Sequence, residues 1–190
     1  HQDVRKAVSS DFKDKGDVIY LLGETHQEMG ASELSYMLAE ETCGGIGNDV
    51  PQIDTTRNLA LYRALTSAMD KGLVRSAHDC SDGGLAVSVA ECCFGCDGAT
   101  TINLDALIDD DTDVWAALFG ESLGRILVSV KPENATEFES AMQGHAFANI
   151  GVVDDKKTLQ FQSGSQPVLK ASLSKLLDAW KGTLNMGGGH

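Results

Sequence analysis

Short runs of apolar, β-branched residues alternate along this chain with segments whose apolar positions recur every three or four residues, the patterns of strand and helix. Val18-Ile19-Tyr20-Leu21-Leu22 reads as a strand ended by Gly23, and Ser32 caps a helix to about Glu41, with Leu34, Met37 and Leu38 at helical spacing. Cys43 to Asn48 is a glycine-rich linker running to Pro51. It is not a phosphate-cradling P-loop, because no Gly-Lys-Ser/Thr follows. Thr55 or Thr56 begins a helix with Leu59, Tyr62, Leu65 and Met69 on one face and Gly72 past its end. Leu73 to Ala77 reads as a short buried strand, and Gly84 to Glu91 opens a helix with small residues on its packing side.

Further along, Thr100–Leu104 reads as a strand and Val114–Leu118 as a short helix. Arg125–Val130 is the clearest strand, mostly apolar and followed by Pro132. A helix over Glu133–Met142, strands over Ala148–Val153 and Thr158–Phe161, and an amphipathic closing helix over Leu169–Trp180 complete the reading. The order mixes crossovers with adjacent strands, so it predicts an α/β (α+β) sandwich with a mixed sheet covered by helices. Residues 1–182 are expected to form one domain and 183–190, with three glycines, a flexible tail. The polar, charged start suggests a segment cut from something longer.

At 190 residues the chain can bury about 70% of its unfolded surface. Its 28 acidic and 15 basic residues give a net charge of −13. Such a surface repels polyphosphate backbones, which argues against nucleic acid and anionic membrane partners. A nucleotide bound here is then expected to arrive with Mg²⁺ or to meet a locally basic neighbour. Asp109 to Asp113 reads as a solvated loop with a helix N-terminus at its end, a cation site being the alternative. No apolar run approaches the roughly 20 residues of a membrane span, and no signal peptide is visible. Five cysteines, an odd number, point to reduced thiols in the cytoplasm. Cys92 and Cys93 are read as small buried hydrophobes, with a cysteine metal site as the competing reading for the Cys-x-x-Cys pair ending at Cys96.

The stretch with most chemistry is Ala77-His78-Asp79-Cys80-Ser81-Asp82-Gly83-Gly84-Leu85. A strand feeding a helix through Ser-Asp-Gly-Gly presents free backbone N–H groups, and the helix dipole adds partial positive charge. Anions settle at such places, and a neighbouring Asp can hold the Mg²⁺ that accompanies a nucleotide. The alternative is a capped turn, with Ser81 or Asp82 as N-cap and glycines chosen for backbone freedom. His78 is read as structural.

Three stretches, in order, resemble the C-terminal domain of the aminoimidazole ribonucleotide synthetase superfamily, and within it the phosphoribosylformylglycinamidine synthase family. They are Leu22-Gly23-Glu24-Thr25 with Glu28-Met29-Gly30-Ala31-Ser32-Glu33-Leu34, the Ala77–Val87 run, and Phe119-Gly120-Glu121-Ser122-Leu123-Gly124-Arg125. The resemblance runs from roughly Asp17 to Val153 and fits the second of the two such domains in that synthase. Family members more often carry a second glycine where Ala31 stands.

The resemblance implies a three-layer, mixed-sheet architecture. It also implies a Mg²⁺ ligand at Asp79, nucleotide contacts at Ser81, Gly83 and Ser122, and a remnant of a substrate or phosphate site at Glu121 and Arg125. An internal Glu121–Arg125 ion pair is the structural alternative. Glu24, Glu28 and Ser32 receive no role. The implied enzyme joins formylglycinamide ribonucleotide (FGAR) to ammonia from glutamine, using ATP to turn the amide oxygen into an iminophosphate, from which ammonia displaces phosphate to give the amidine, FGAM. Its implied partners are an ATP-binding domain of the same enzyme and a glutaminase domain or subunit, so the chain alone is expected to be inert, a domain of a C–N ligase. The competing readings are a sister enzyme (aminoimidazole ribonucleotide synthetase, thiamine monophosphate kinase or selenophosphate synthetase), a scaffold that binds no ligand, and a cysteine metal module.

Overall fold

The computed structural model describes residues 3–42, 45–96 and 98–182. The expected tail at 183–190 and the Cys43-Gly44 part of the glycine-rich linker lie outside the described residues. Seven strands, β1 (Val18–Leu22), β2 (Val74–Asp79), β3 (Ala99–Asn103), β4 (Ile126–Val130), β5 (Phe147–Lys156), β6 (Thr158–Ser163) and β7 (Gln166–Ser172), form one sheet in the order β2-β4-β1-β5-β3-β6-β7. All neighbours pair antiparallel except β3 with β6, which makes the sheet mixed. Six α-helices are described: α1 (Glu33–Thr42), α2 (Thr55–Asp70), α3 (Gly84–Phe94), α4 (Val114–Phe119), α5 (Ala135–Ala141) and α6 (Leu173–Gly182). None is long and apolar enough to cross a membrane.

β1 reads as a continuous apolar run because both of its faces are covered. Ile19 and Leu21 join a core with α3 and α4, where Leu85, Val89, Cys92, Cys93 and Leu118 pack. Tyr20 and Leu22 point the other way, into a core with Leu61 and Leu65 of α2 and Phe138 of α5. Three layers therefore hold over β2, β4 and β1. Over β3, β6 and β7 the second face carries Thr101, Gln160, Gln162 and Lys170, half-buried or exposed, and the sandwich there has two layers.

Two expectations change. The buried stripe of α2 is Leu61, Leu65 and Ala68, whereas Leu59 and Tyr62 are exposed. Both stripes contain Leu65 and both have helical period; the small Ala64 and Ala68 let the first lie closer to the sheet. Residues 169–172, expected as the start of the closing helix, belong instead to β7 (Gln166–Ser172). Gly164-Ser165 makes a two-residue hairpin, with Gly164 at φ 56° and Ser163 opposite Gln166. Pro167 is tolerated because β7 is an edge strand. The opposite edge, β2, is partly covered by the N-terminal segment, where Ala77 N–H donates to the Ser9 carbonyl at 3.2 Å and Arg75 pairs with Asp14 and Asp17.

The helix at residues 33–42 is as expected, with Ser32 Oγ accepting the Ser35 N–H at 3.2 Å, but Met37 and Leu38 are exposed, as is Tyr36. Cys92 and Cys93 end α3 as buried apolar groups. The acidic loop ends on Asp113, which caps α4 by accepting the N–H groups of Trp115 and Ala116.

Phe138 is fully buried, 5.0 Å from the Tyr20 ring, and anchors α5 to the sheet together with buried Met142 and the Tyr20 hydroxyl, which donates to Glu139 Oε1 at 2.7 Å. Phe138→Ala is expected to cost about 3–5 kcal/mol in urea unfolding. A loss below 1 kcal/mol would show that α5 is not held through this contact.

Candidate functional site

A cleft of about 540 Å³ opens where β2 runs out, walled by the Asp79–Asp82 turn, by Gly30 and Ala31, by Val50, Pro51 and Tyr62, and by the turn from Glu121 to Arg125. It brings together Asp79, Ser81, Glu121 and Arg125 from the expected set. Asp79 ends β2 with its side chain 75% exposed. Ser81 Oγ donates to Asp79 Oδ2 at 2.5 Å. That bond, followed by the residue's own amide and the nearby His78, holds the Asp79 carboxyl below the usual range against a smaller opposing effect of burial. His78 is fixed from behind, its Nε2 2.8 Å from Glu91 Oε2 on α3 and its Nδ1 3.8 Å from Asp79 Oδ1. Cys80 points into the core, and its N–H donates to the Arg125 carbonyl at 3.0 Å.

Neither Ser81 nor Asp82 caps α3. The N-cap is Gly83, at φ 77°, and no side chain of its own turn serves it. The cap comes from 38 residues away: Glu121 Oε1 accepts the Gly83 N–H at 2.8 Å. The same oxygen accepts the N–H of Glu33, the first residue of α1, at 3.0 Å. One carboxylate oxygen thus sits at the positive ends of two helices, where a bound anion would otherwise be favoured. Gly84, at φ 63°, allows this junction to close, because a Cβ there would come within 2.5 Å of the Gly120 carbonyl oxygen.

Glu121 and Arg125 do not pair with each other. Arg125 is 1% exposed; its Nη2 donates to the Gly120 carbonyl and its Nη1 to Thr25 Oγ1 at 3.3 Å. Burial pulls the guanidinium below its ordinary range, opposed by Cys80, Glu28 and Glu121 around it. Its Nε and Glu28 Oε2 are buried without a hydrogen-bond partner. Ser122 lies outside the cleft, 1% exposed, with Oγ accepting the His26 N–H at 3.1 Å. Ala31 adopts φ 58°, a conformation in which glycine is unstrained, beside Gly30, whose Cα approaches the Asp49 backbone.

The profile of the family described as AIR synthase related protein, C-terminal domain, matches residues 14–163. The chain belongs to that family. Its fold is shared by phosphoribosylformylglycinamidine synthase II from Thermotoga maritima, at TM-score 0.75 and 20% identity over 91% of this chain and 28% of that one. The T. maritima PurL complexed with FGAR gives TM-score 0.78 and 19% identity, covering 91% of this chain and 30% of that one. PurL structures complexed with ATP and with ADP, and PurLQS, share the fold as well. E. coli HypE, a hydrogenase maturation protein, matches at TM-score 0.60 and 17% identity over 87% of this chain and 51% of that one. The chain thus spans less than a third of the synthase structures and about half of HypE. At these identities the AIR synthase related C-terminal fold is what they have in common.

The geometry missed from sequence is the Glu121 clasp, together with the apolar lip of Val50, Pro51 and Tyr62. Glu121→Ala strands two N–H groups at helix starts and is expected to cost about 1–3 kcal/mol in urea unfolding. Glu121→Gln, which keeps an acceptor oxygen, should recover most of that loss, and equal losses would remove the clasp. Ser81→Ala should raise the Asp79 pKa toward the ordinary carboxylate value in a ¹³C-carboxyl NMR titration. Because the folded pKa is depressed, the stability Asp79 contributes is present above its unfolded pKa and fades as pH falls through the folded one.

Proposed function

We propose that this chain is the second AIR synthetase-related C-terminal domain of an ATP-dependent phosphoribosylformylglycinamidine synthase, which converts FGAR, ATP and glutamine-derived ammonia to FGAM. Its part is a Mg-nucleotide contact and a packing face for the ATP-binding domain. The observation that carries this reading is the cleft at the end of β2, where the exposed Asp79, held ionised by Ser81, faces open space.

Among the described residues no three His, Cys, Asp or Glu side chains gather as a metal-binding group. That donor set does not fit a resident all-protein cage. It does fit Mg²⁺, which commonly keeps several waters and binds through one or two carboxylates plus the phosphates of its nucleotide. In this reading Mg²⁺ supplies charge neutralisation at the phosphates. Asp79 would be its protein ligand, and Ser81, whose one hydroxyl proton goes to Asp79 in this structure, would turn that proton to the phosphate when the nucleotide binds. Glu121 takes the Gly83 N–H and occupies the helix starts itself, so Gly83 supports the Asp79–Asp82 turn from outside the cleft. Ser122 and Arg125 hold the wall in shape.

Tyr36, Met37 and Leu38 on α1, and Val50, Leu59, Tyr62 and Leu123 at or beside the cleft mouth, are exposed large apolar side chains. They support a packing role against a neighbouring domain. The likeness to HypE supports a second reading, a sister enzyme of the same superfamily that uses the same cleft with a different substrate.

Calorimetry with Mg·ADP on the full-length polypeptide is the test. Asp79→Ala should weaken binding about tenfold or more, consistent with loss of a charged ligand. Unchanged binding removes Asp79 from the site and leaves a scaffold role. The isolated chain, supplied with FGAR, ATP and ammonia, should show no turnover; measurable FGAM formation would overturn its assignment as an incomplete piece.

A further inference from the structure

Two Asp-Gly pairs occur in the chain, Asp82-Gly83 and Asp97-Gly98. An aspartate followed by glycine is open to a backbone rearrangement, because no side chain shields the next amide nitrogen. That nitrogen attacks the aspartyl carboxyl carbon, its proton and the carboxyl hydroxyl leave as water, and a five-membered succinimide forms. Water then adds to either ring carbonyl and returns aspartate or isoaspartate, whose main chain runs through the side-chain carboxyl and is one methylene longer. Nothing is oxidised or reduced, and water is the one co-reactant.

Asp82 is exposed on the cleft wall, so water reaches it. Gly83 is not readily exchanged for a bulkier follower: its φ is 77°, and a Cβ there would come within 2.3 Å of Val87 Cγ2. The turn itself opposes ring closure. Gly84 N–H donates to the Ser81 carbonyl at 3.0 Å, and Gly83 sits at φ 77°, ψ 3°, the third position of a type II turn. Such a turn gives its second residue, here Asp82, a ψ of about +120°. Ring closure needs a negative ψ, which swings the Gly83 nitrogen to the side of the Asp82 Cβ. Glu121 Oε1 holds that nitrogen in the turn by accepting its N–H at 2.8 Å.

We propose that Asp82 is a latent site of isoaspartate formation, kept closed by the Glu121 clasp and converted when the clasp opens. Conversion lengthens the main chain between Ser81 and α3, and so displaces the turn that carries Asp79 and Ser81 along the cleft wall. The inference does not depend on what the cleft binds.

The full-length polypeptide is incubated folded at neutral pH, and isoaspartate at residues 82 and 97 is followed by electron-transfer mass spectrometry of its digests. A synthetic peptide of residues 76–88 is the unrestrained reference. Residue 82 is expected to convert at least about tenfold more slowly in the protein than in the peptide. Glu121→Ala should speed it about tenfold, and Glu121→Gln, which keeps an acceptor oxygen, should stay within about threefold of the unsubstituted protein. Asp97-Gly98 reports general loosening of the chain, and its rate should be the same in all three proteins. Conversion of residue 82 as fast in the protein as in the peptide overturns the proposal. So does an unchanged or slower rate in Glu121→Ala, the slower one marking Glu121 as a base that helps the nitrogen attack. An acceleration matched at residue 97, or one equally large in Glu121→Gln, overturns it as well.

Discussion

Two helices begin within reach of one carboxylate oxygen, and the cleft takes its shape from that meeting. Glu121 stands in the turn before β4, next to the β2 edge of the sheet, and draws the first N–H of α1 and the N–H of Gly83 to the same point. Each helix start carries partial positive charge and unsatisfied donors, so bringing two together without an acceptor between them would be unfavourable. With Glu121 in place the junction is neutralised, Gly84 packs against the Gly120 carbonyl, and the Asp79–Asp82 turn is left standing at the edge of open space. The charge logic of the site follows from this. The chain supplies its own anion at the two helix starts and leaves the carboxylate of Asp79 exposed at the cleft.

The same turn explains why Arg125 is so deeply placed. Its guanidinium hydrogen-bonds the Gly120 carbonyl and Thr25, tying the first glycine loop to the turn that carries Glu121. The His26 N–H to Ser122 Oγ bond makes a second tie between these loops. Residues that look in the sequence like a ligand-binding cluster therefore divide their duties. Ser122 and Arg125 connect loops, Glu121 closes helix starts, and Asp79 with Ser81 faces outward.

Much of the fold can be read from local pattern. The strand at residues 18–22 matches to the residue, and β4 and α4 each shift by only one residue at one end, because burial on both faces or a strong cap leaves an unmistakable signature. β7 was hidden because Leu169, Leu173, Leu176 and Trp180 continue the helical spacing of α6 backwards across a strand; the Gly164-Ser165 hairpin was the signal that could have separated them. The face of α2 was ambiguous because two apolar stripes share Leu65, and only the position of the sheet chooses between them. For the candidate site, Asp79 and Ser81 were legible as a motif, and their orientation follows from the strand end. The Glu121 clasp was not, since a cap donated from 38 positions away has no local trace. Ala31, in a backbone conformation that suits glycine, was legible only as a departure from the family pattern.

The two borders of the sheet are guarded unequally. β7 carries Pro167 and Lys170, residues that discourage another strand from adding alongside. β2 has no proline and relies on the chain ahead of β1, where the Ser9 carbonyl takes the Ala77 N–H and Asp14 and Asp17 hold Arg75. The leading residues therefore act as a removable cover over an otherwise adhesive rim. Proteolytic trimming there would free the Ala77 N–H and the Arg75 side chain on the strand that leads to Asp79, and self-association through strand addition would be the first symptom, well before any loss of the core.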